Sequence, residues 1–564
     1  MHFVVATAIA LALGACSPKE TSTATSGDLV APPDMCLHNA SIYGSDASAI
    51  TVTNGKIIGL EPESNTCAAF VDTETEIFDL NGSYVYPGFV DGHGHLLGIG
   101  LREMTLNLEG TASIKELQDR LREVVSATAE GETIFGRGWI ETHWPENRFP
   151  NRGDLDLVAP ENPVILERAD GHAVVANSMA LEKSNVTKDT EAPFGGDILL
   201  GKDGNPSGML IDKADRLVMG LVGELTPERK RAAYIKGGEV YAGYGWTGIQ
   251  SMSVNPADVP LIEELSDSGK IGIRVYNAID LNGAESLLDQ IGADGPRTNS
   301  NGRVVTRAIK VYADGALGSR GASLLEPYTD DPDNSGLLLS KKQEMMPVFE
   351  RALRDGMQIS MHAIGDNANR MVLDWFEEAM NNVPVEDRKV ADPRWRIEHS
   401  QILDVADIPR FKELGIIASM QPSHAIGDLH FAVDRLGVDR LRGGYAWRSL
   451  IDSGAIIAGG TDAPVERGDP RIEFYAAVAR KDAKGFSTEG WYPDEKVTRA
   501  EAIKMFSEWN AYAAFEEDVA GTIAVGNNAD FTIFNKDIMS IPEAEILSVT
   551  PVMTIVDGEV VFKN

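Results

Sequence analysis

The chain has 564 residues, which is too long for one ordinary domain and indicates two or three. Its hydrophobic content of 43% is that of a soluble protein with a large core. Acidic residues outnumber basic ones by 85 to 51, a formal net charge of −34. This excess argues against nucleic-acid binding, because phosphate contacts need clustered Lys and Arg, and solubility explains it more simply than an acidic partner site.

The first 35 residues predict an export signal followed by a tether. Residues 3–13 are mostly apolar but too few to span a bilayer, and small residues precede Cys16 as at a signal cleavage site. The sequence Leu13-Gly-Ala-Cys16 resembles a bacterial lipobox, which implies a lipoprotein signal over 1–16, lipidation of Cys16, and export to the periplasm or outer membrane. Residues 17–35 are rich in Ser, Thr and Pro, which is typical of a flexible tether.

Short strands are predicted at both ends of the remaining chain. Asn54-Gly55 lies between alternating apolar runs and predicts a hairpin. A matching strand pattern returns at 531–534 and 552–562. Neither piece can hold a core alone, so residues 36–86 and 519–564 are predicted to form one small β-sandwich.

Two cysteines lie in the first part of this predicted sandwich, Cys36 and Cys67. An oxidising periplasm would permit them to form a disulfide. Two buried free thiols explain the sequence equally well, and both possibilities stay open at this point.

The stretch from Tyr86 to His95 predicts a strand that ends in the pair His93 and His95. Side chains two residues apart on a strand point to the same side, so both imidazoles face one way. Gly92 and Gly94 are interpreted as leaving room for an ion. Two imidazoles so placed suit a divalent transition metal, Zn above all, although an isolated pair is better explained as two histidines in a turn. The metal-site prediction therefore depends on further ligands.

Further metal-competent side chains follow short apolar segments at regular points. These segments predict an α/β fold, a TIM-type (β/α)8 barrel over 87–518 with ligands at the carboxyl ends of its strands. The eight strands are placed at 84–95, 247–253, 273–279, 308–314, 358–362, 395–399, 416–421 and 455–462. Strands four, five, six and eight carry Lys310, His362, His399 and Asp462. In strand six, Ile397 is expected to share a face with His399.

Seven motifs occur in order along the chain: PGFVDGHGH, IKVYADGALGSRGA, MHAIGDNAN, RIEHSQ, QPSH, YAWRSL and GGTDAPVE. Together they resemble the amidohydrolase superfamily, and within it the YtcJ-like branch (amidohydrolase family 3). The resemblance implies one or two divalent metal ions. The ligands it implies are His93, His95, Lys310, His362, His399 and Asp462.

Lys310 decides the number of metal ions in this interpretation. A protonated amine cannot bind a metal, so Lys310 as a ligand must be carbamylated by CO₂ and become an anionic bridge between two ions. The alternative is an ordinary ammonium group paired with Asp314 or Asp462, beside a single ion.

A site of this kind is suited to hydrolysis of a small-molecule substrate. The metal would lower the pKa of bound water, and Asp462 would take its proton and pass it to the leaving amine. His362 or His399 would help to polarise the scissile carbonyl. The resemblance implies cleavage of a C–N bond in an amide or cyclic amide, and lactone or ester hydrolysis on the same site stays open.

Two non-enzymatic functions are less favoured by the sequence. A degenerate metal-binding lipoprotein would lack some ligands, and a solute-binding surface protein would not need them on five strands. Membrane contact is expected through the lipid anchor only, and a homodimer is left open.

About 150 residues separate strands one and two, far more than a βα connection needs. The excess predicts an insertion at about 101–230 with its own helix, from Ser113 to about Ala129. By resemblance, the insertion lies over the barrel mouth and helps to shape the substrate pocket. The candidate substrate-binding residues are His143, Trp144 and His172 in the insertion and Arg320 in the long loop after strand four. Each has a structural alternative, a plain salt bridge in the case of Arg320.

Overall fold

The computed structural model of the chain describes residues 32–62, 66–71, 73–141, 144–146, 148–169, 171, 173–193, 196–223 and 225–564. Cys16, His143 and His172, which carry predictions, lie outside the described residues. Among the helices of the described residues, none has the length and apolar character needed to cross a membrane.

Eight parallel strands form the central sheet. In chain order they are β1 Phe89–Gly94, β2 Trp246–Val254, β3 Arg274–Asp280, β4 Val304–Tyr312, β5 Gln358–Ala363, β6 Arg396–His399, β7 Ile417–Met420 and β8 Ile457–Gly459. Each strand is hydrogen-bonded to the next. The barrel is nearly closed between β8 and β1, where the N–H groups of Thr461 and Asp462 donate to the His93 carbonyl at 3.1 and 2.6 Å. The predicted parallel barrel is confirmed, with strand ends that differ by a few residues.

Helices follow the strands and cover the outside of the barrel. They include Leu96–Glu103, Pro227–Tyr244, Val259–Asp267, Glu285–Asp294, Lys342–Asp355, Asp366–Asn382, Ile408–Leu414, Pro422–Asp428, Ala432–Arg440, Trp447–Ser453, Pro470–Ala479, Arg499–Phe506 and Glu508–Ala513. Thr498 and Glu501 form a capping box at the start of the helix Arg499–Phe506. The fully buried indoles of Trp246, Trp395 and Trp447 belong to the apolar layer between the helices and the sheet.

Two small sheets combine both ends of the chain. One has the order Lys56–Glu61, Ala49–Thr53, Met35–His38, Glu76–Asp79, and the other Ser41–Ile42, Tyr84–Pro87, Phe531–Phe534, Pro551–Val556, Glu559–Lys563. Their apolar side chains share one cluster, which includes Ile50 from one sheet and Phe531 and Ile555 from the other. Asn54 and Gly55 have φ values of 50° and 71°, as the predicted two-residue hairpin turn requires. A disulfide joins Cys36 to Cys67, which resolves the question that the sequence left open.

Residues between β1 and β2 build a separate six-stranded sheet. Its order is Gly196–Leu200, Pro206–Asp212, Ala173–Ala176, Val164–Arg168, Ile134–Trp139, Leu106–Asn107. The helix Ile114–Ala127 covers it with Leu117 and Leu121, after a Ser113 cap that accepts a hydrogen bond from the Glu116 N–H. This sheet therefore has an apolar core of its own.

Candidate metal centre

The end of β1 directs two imidazoles at one carboxylate. His93 Nε2 lies 3.3 Å and His95 Nε2 lies 3.0 Å from Asp462 Oδ1. The other ring nitrogens are engaged, because His93 Nδ1 contacts Glu398 Oε2 at 2.6 Å and His95 Nδ1 contacts the Met252 carbonyl at 3.1 Å. With a cation bound, an Nδ1–H donated to these acceptors would orient each ring and leave both Nε2 lone pairs for the ion.

Asp462 is the carboxylate that these imidazoles share. It follows β8 with a φ of 60°, a left-handed backbone conformation that turns its side chain back over the barrel mouth. Burial alone would raise its pKa, but the neighbouring imidazoles of His93 and His95 hold the pKa of this carboxyl well below its usual range. Asp462 is therefore ionised at neutral pH.

The donor atoms fit a divalent cation. Three buried ring nitrogens, the Nε2 atoms of His93, His362 and His424, have no hydrogen-bond partner among the described residues. The ligand atoms of His93, His95 and Asp462 lie within 4.8 Å of one another. Tetrahedral ligands at Zn distances are about 3.3 Å apart, close to the separations measured from Asp462 Oδ1. The site can hold a metal through these residues.

His362 on β5 and His399 on β6 extend the cluster, with ring centroids 4.6 Å apart. His399 Nδ1 contacts Gln421 Oε1 at 2.8 Å, so its Nε2 also faces the cluster. Burial, assisted by the positive charge of Lys310, lowers the pKa of His362 to about 3. The His362 ring is therefore neutral at physiological pH and can donate a lone pair.

Lys310 lies on β4 in register with Asp280 on one side and Ser360 on the other. Its side chain is buried, and no carboxylate of the described residues lies within 4.0 Å of its nitrogen. The predicted alternative, an ion pair with Asp314 or Asp462, is therefore not found.

Asp314 instead holds two loops together. Its carboxylate accepts backbone N–H bonds from Ser323 at 2.8 Å and from Ile364 and Gly365 at 2.9 Å each. Burial raises the pKa of this carboxyl to about 7. Asp314 thus fixes the loop after β4 against the end of β5, beside His362.

A buried carboxylate, Asp91, fastens the metal-site end of β1 to the end of β8. It accepts hydrogen bonds from Tyr241 Oη and Thr461 Oγ1, both at 2.7 Å, and from the N–H groups of Thr461 and His93. A Cβ atom on Gly94 would lie 2.9 Å from Asp91 Oδ2. Gly94 therefore makes room for this carboxylate rather than for the ion that the sequence suggested.

Strand β6 differs from the sequence prediction. Ile397 packs outward in the apolar layer, whereas Arg396 and Glu398 point into the barrel, where Arg396 Nε lies 2.8 Å from Glu398 Oε1. His399 reaches the cluster because its φ of 75° ends the regular strand. The expectation that Ile397 shares a face with His399 is thus wrong, and the buried pair beneath the site was missed. The available signal was the presence of two charged residues, two positions apart, on either side of an apolar residue in this strand.

Replacing Glu398 with glutamine should destabilise the fold strongly. Both members of its pair with Arg396 are fully buried, and removal of one leaves an uncompensated charge, which typically costs about 3–5 kcal/mol. The midpoint of urea unfolding measures the effect. Glu264→Gln, in an exposed pair with Arg231, is the matched control and should cost about 0–1 kcal/mol. Equal unfolding midpoints for the two variants would contradict the view that Glu398 neutralises a buried Arg396.

Of the four candidate substrate residues, the structure describes Trp144 and Arg320, and the contacts of both lie away from this cluster. Trp144 is buried in the core of the insertion, where its indole N–H donates to the Thr111 carbonyl at 2.6 Å. Arg320 pairs with Asp330 at 2.8 Å in the loop after β4. His424 was not selected from the sequence, yet it lies beside Asp462.

Known proteins resemble this chain over most of its length. The model of the amidohydrolase family matches residues 76–562. The chain is 30% identical to the YtcJ protein of Bacillus subtilis (strain 168) over 537 residues, which cover 93% of this chain and 99% of that protein. It is 27% identical to the N-substituted formamide deformylase of Arthrobacter pascens over 548 residues, covering 93% and 97%. An uncharacterized metal-dependent hydrolase from Pyrococcus horikoshii has a similar structure, with a TM-score of 0.71, 28% identity, and coverage of 90% of this chain and 99% of that one.

Proposed function

The chain belongs to the amidohydrolase family, and on that premise we propose that it hydrolyses a C–N bond in an amide or cyclic amide. The observation that carries the proposal is the convergence of His93 Nε2 and His95 Nε2 on Asp462 Oδ1, at 3.3 and 3.0 Å. A degenerate relative would have lost some of these groups, whereas the six ligands that the sequence suggested are all present.

A bound divalent cation supplies Lewis acidity, which lowers the pKa of water towards neutrality. Asp462 is ionised, so it can accept the proton of the attacking water and later give it to the leaving amine. Polarisation of the scissile carbonyl is assigned to His362 or His399, whichever ring keeps an N–H directed at the substrate.

The cation is proposed to be Zn, because imidazole nitrogens and a carboxylate oxygen are its usual ligands. Lys310 is proposed to carry a carbamate. Burial lowers the pKa of its amine, and a neutral amine can attack CO₂, forming an N–C bond and losing a proton. The resulting anion would bridge two cations, in which case the site holds a pair of them.

The substrate class is tested by turnover on a panel. Purified protein loaded with Zn should release amine or carboxylate from N-substituted formamides, N-acyl amino acids or cyclic ureas. The formamide deformylase among the relatives makes formamides the first compounds to test. Faster turnover of lactones than of every amide would instead favour the ester-hydrolase alternative, which uses the same groups.

We also propose that the protein is exported and lipid-anchored at Cys16. The apolar run and lipobox support this, and the Cys36–Cys67 disulfide suits an oxidising compartment. In Cys16→Ala the precursor should stay uncleaved or leave the membrane fraction, whereas Ser17→Ala should behave as wild type. Cell fractionation with N-terminal sequencing checks both variants. A cytosolic wild-type protein that begins at Met1 would contradict the proposal.

A further inference from the structure

A second group of metal-competent side chains lies beside the pair from β1. It consists of His399, His424 and Asp462, whose ligand atoms lie within 4.8 Å of one another. Asp462 belongs to both groups, and its two oxygens face different partners. Oδ1 is near His93 and His95, whereas Oδ2 lies 3.5 Å from His424 Nε2.

We propose that His424 is a ligand of a second divalent cation, together with His399 and Asp462. The inference rests on the proposed metal-dependent function and deepens it, since it assigns a ligand outside the six that the sequence suggested. Asp462 would then belong to the ligand sets of both cations.

The surroundings of His424 support a ligand better than a structural histidine. Its Nε2 is buried and has no hydrogen-bond partner among the described residues. Glu466 Oε1 and Asp462 Oδ2 are the nearby carboxylate oxygens, at 3.8 and 3.5 Å, both too far for a good hydrogen bond. A polar atom enclosed in this way without a partner is unusual, and an ion between these groups would satisfy it.

The segment that leads into His424 makes two polar contacts with neighbouring elements. Gln421 Oε1 contacts His399 Nδ1 at 2.8 Å, so the residue that begins this turn also orients a second ligand. The N–H of Ser423 donates to the buried carboxylate of Glu473 at 2.9 Å. The rings of His399 and His424 are nearly parallel, with centroids 5.7 Å apart. Gln421 therefore orients the His399 ring and the contact with His399 restrains the His424 ring, which favours the preorganisation that a metal site needs.

Metal content tests the proposal directly. Wild type, His424→Ala and His424→Gln are loaded with Zn in the presence of bicarbonate, freed of excess metal and analysed by mass spectrometry. A competing chelator gives the affinity of the weaker site. We expect two equivalents in wild type, and one in each variant with the second affinity reduced more than about 100-fold, beyond the loss typical of an outer partner. His430→Ala removes a histidine that contacts Asp482, away from the cluster, and should keep two.

Two further measurements complete the design: the metal content of Lys310→Ala, and the melting temperature of every variant, which shows whether it is folded. If His424→Ala unfolds, the metal content of His424→Gln decides the question, because glutamine keeps a polar side chain of similar length. A second cation bound with wild-type affinity in a folded His424 variant overturns the inference, most clearly if Lys310→Ala loses it. A single cation in an active wild type also overturns the inference while the proposed function stands. Wild type without any bound cation would contradict both.

Discussion

Asp462→Asn is expected to lower turnover by about 10²- to 10⁴-fold, the range typical of general acid–base residues. The substitution keeps the size of the side chain but removes the charge and basicity of the carboxylate. Asp462 Oδ1 lies 3.3 Å from His93 Nε2 and 3.0 Å from His95 Nε2. Among the described residues, neither nitrogen has another hydrogen-bond partner. An amide oxygen could still accept a hydrogen bond there, but it could not take a proton from water.

The Asp462 experiment needs metal content and turnover from the same samples, because the carboxylate is also a proposed ligand. Asp289→Asn is the matched control, since this carboxylate is exposed in a surface pair with Arg351. The control should keep wild-type turnover. Near-normal turnover in Asp462→Asn with a full complement of metal would mean that another group transfers the proton.

The barrel, and the placing of candidate ligands at its strand ends, could be predicted because both depend on local signals in the sequence. Alternation of side chains in strands such as β5 places Ser360 and His362 on one face, and the structure has them in register with Lys310 and Tyr312 of β4. The hairpin at Asn54-Gly55 is equally local, since few residue pairs tolerate positive φ at two successive positions.

The features that sequence reasoning missed depend on contacts between distant segments. Arg396 and Glu398 were overlooked because a charged pair inside a barrel contradicts the usual apolar filling, and only its three-dimensional partners make it tolerable. Arg396 donates to the Gly92 carbonyl at 2.6 Å and to Ser419 Oγ at 2.7 Å, while Glu398 contacts His93. None of these partners is a neighbour in sequence.

Backbone geometry explains the remaining differences. Strand parity predicted that Ile397 would face the site with His399, but the positive φ of His399 breaks the alternation at that residue. His424 lies in a helix after β7, outside the strand ends on which the ligand search relied. The Cys36–Cys67 disulfide spans 31 residues, a spacing that does not by itself indicate pairing.

Removal of the metal should abolish hydrolysis without unfolding the protein. The candidate ligands come from β1, β4, β5, β6 and the segments after β7 and β8, and these elements are held by hydrogen bonds that need no ion, such as those of Asp91 and Asp314. A chelator should therefore reduce turnover to background while the circular dichroism spectrum is unchanged. Added Zn should restore the activity.

The most direct test of the central claim measures cation content and turnover together, in one preparation, before chelation, after chelation and after re-addition of Zn. Our account predicts at least one equivalent of divalent cation per chain at the start, loss of the cation and of amide hydrolysis in parallel, and recovery of both. Full turnover by protein shown to be free of metal would contradict it.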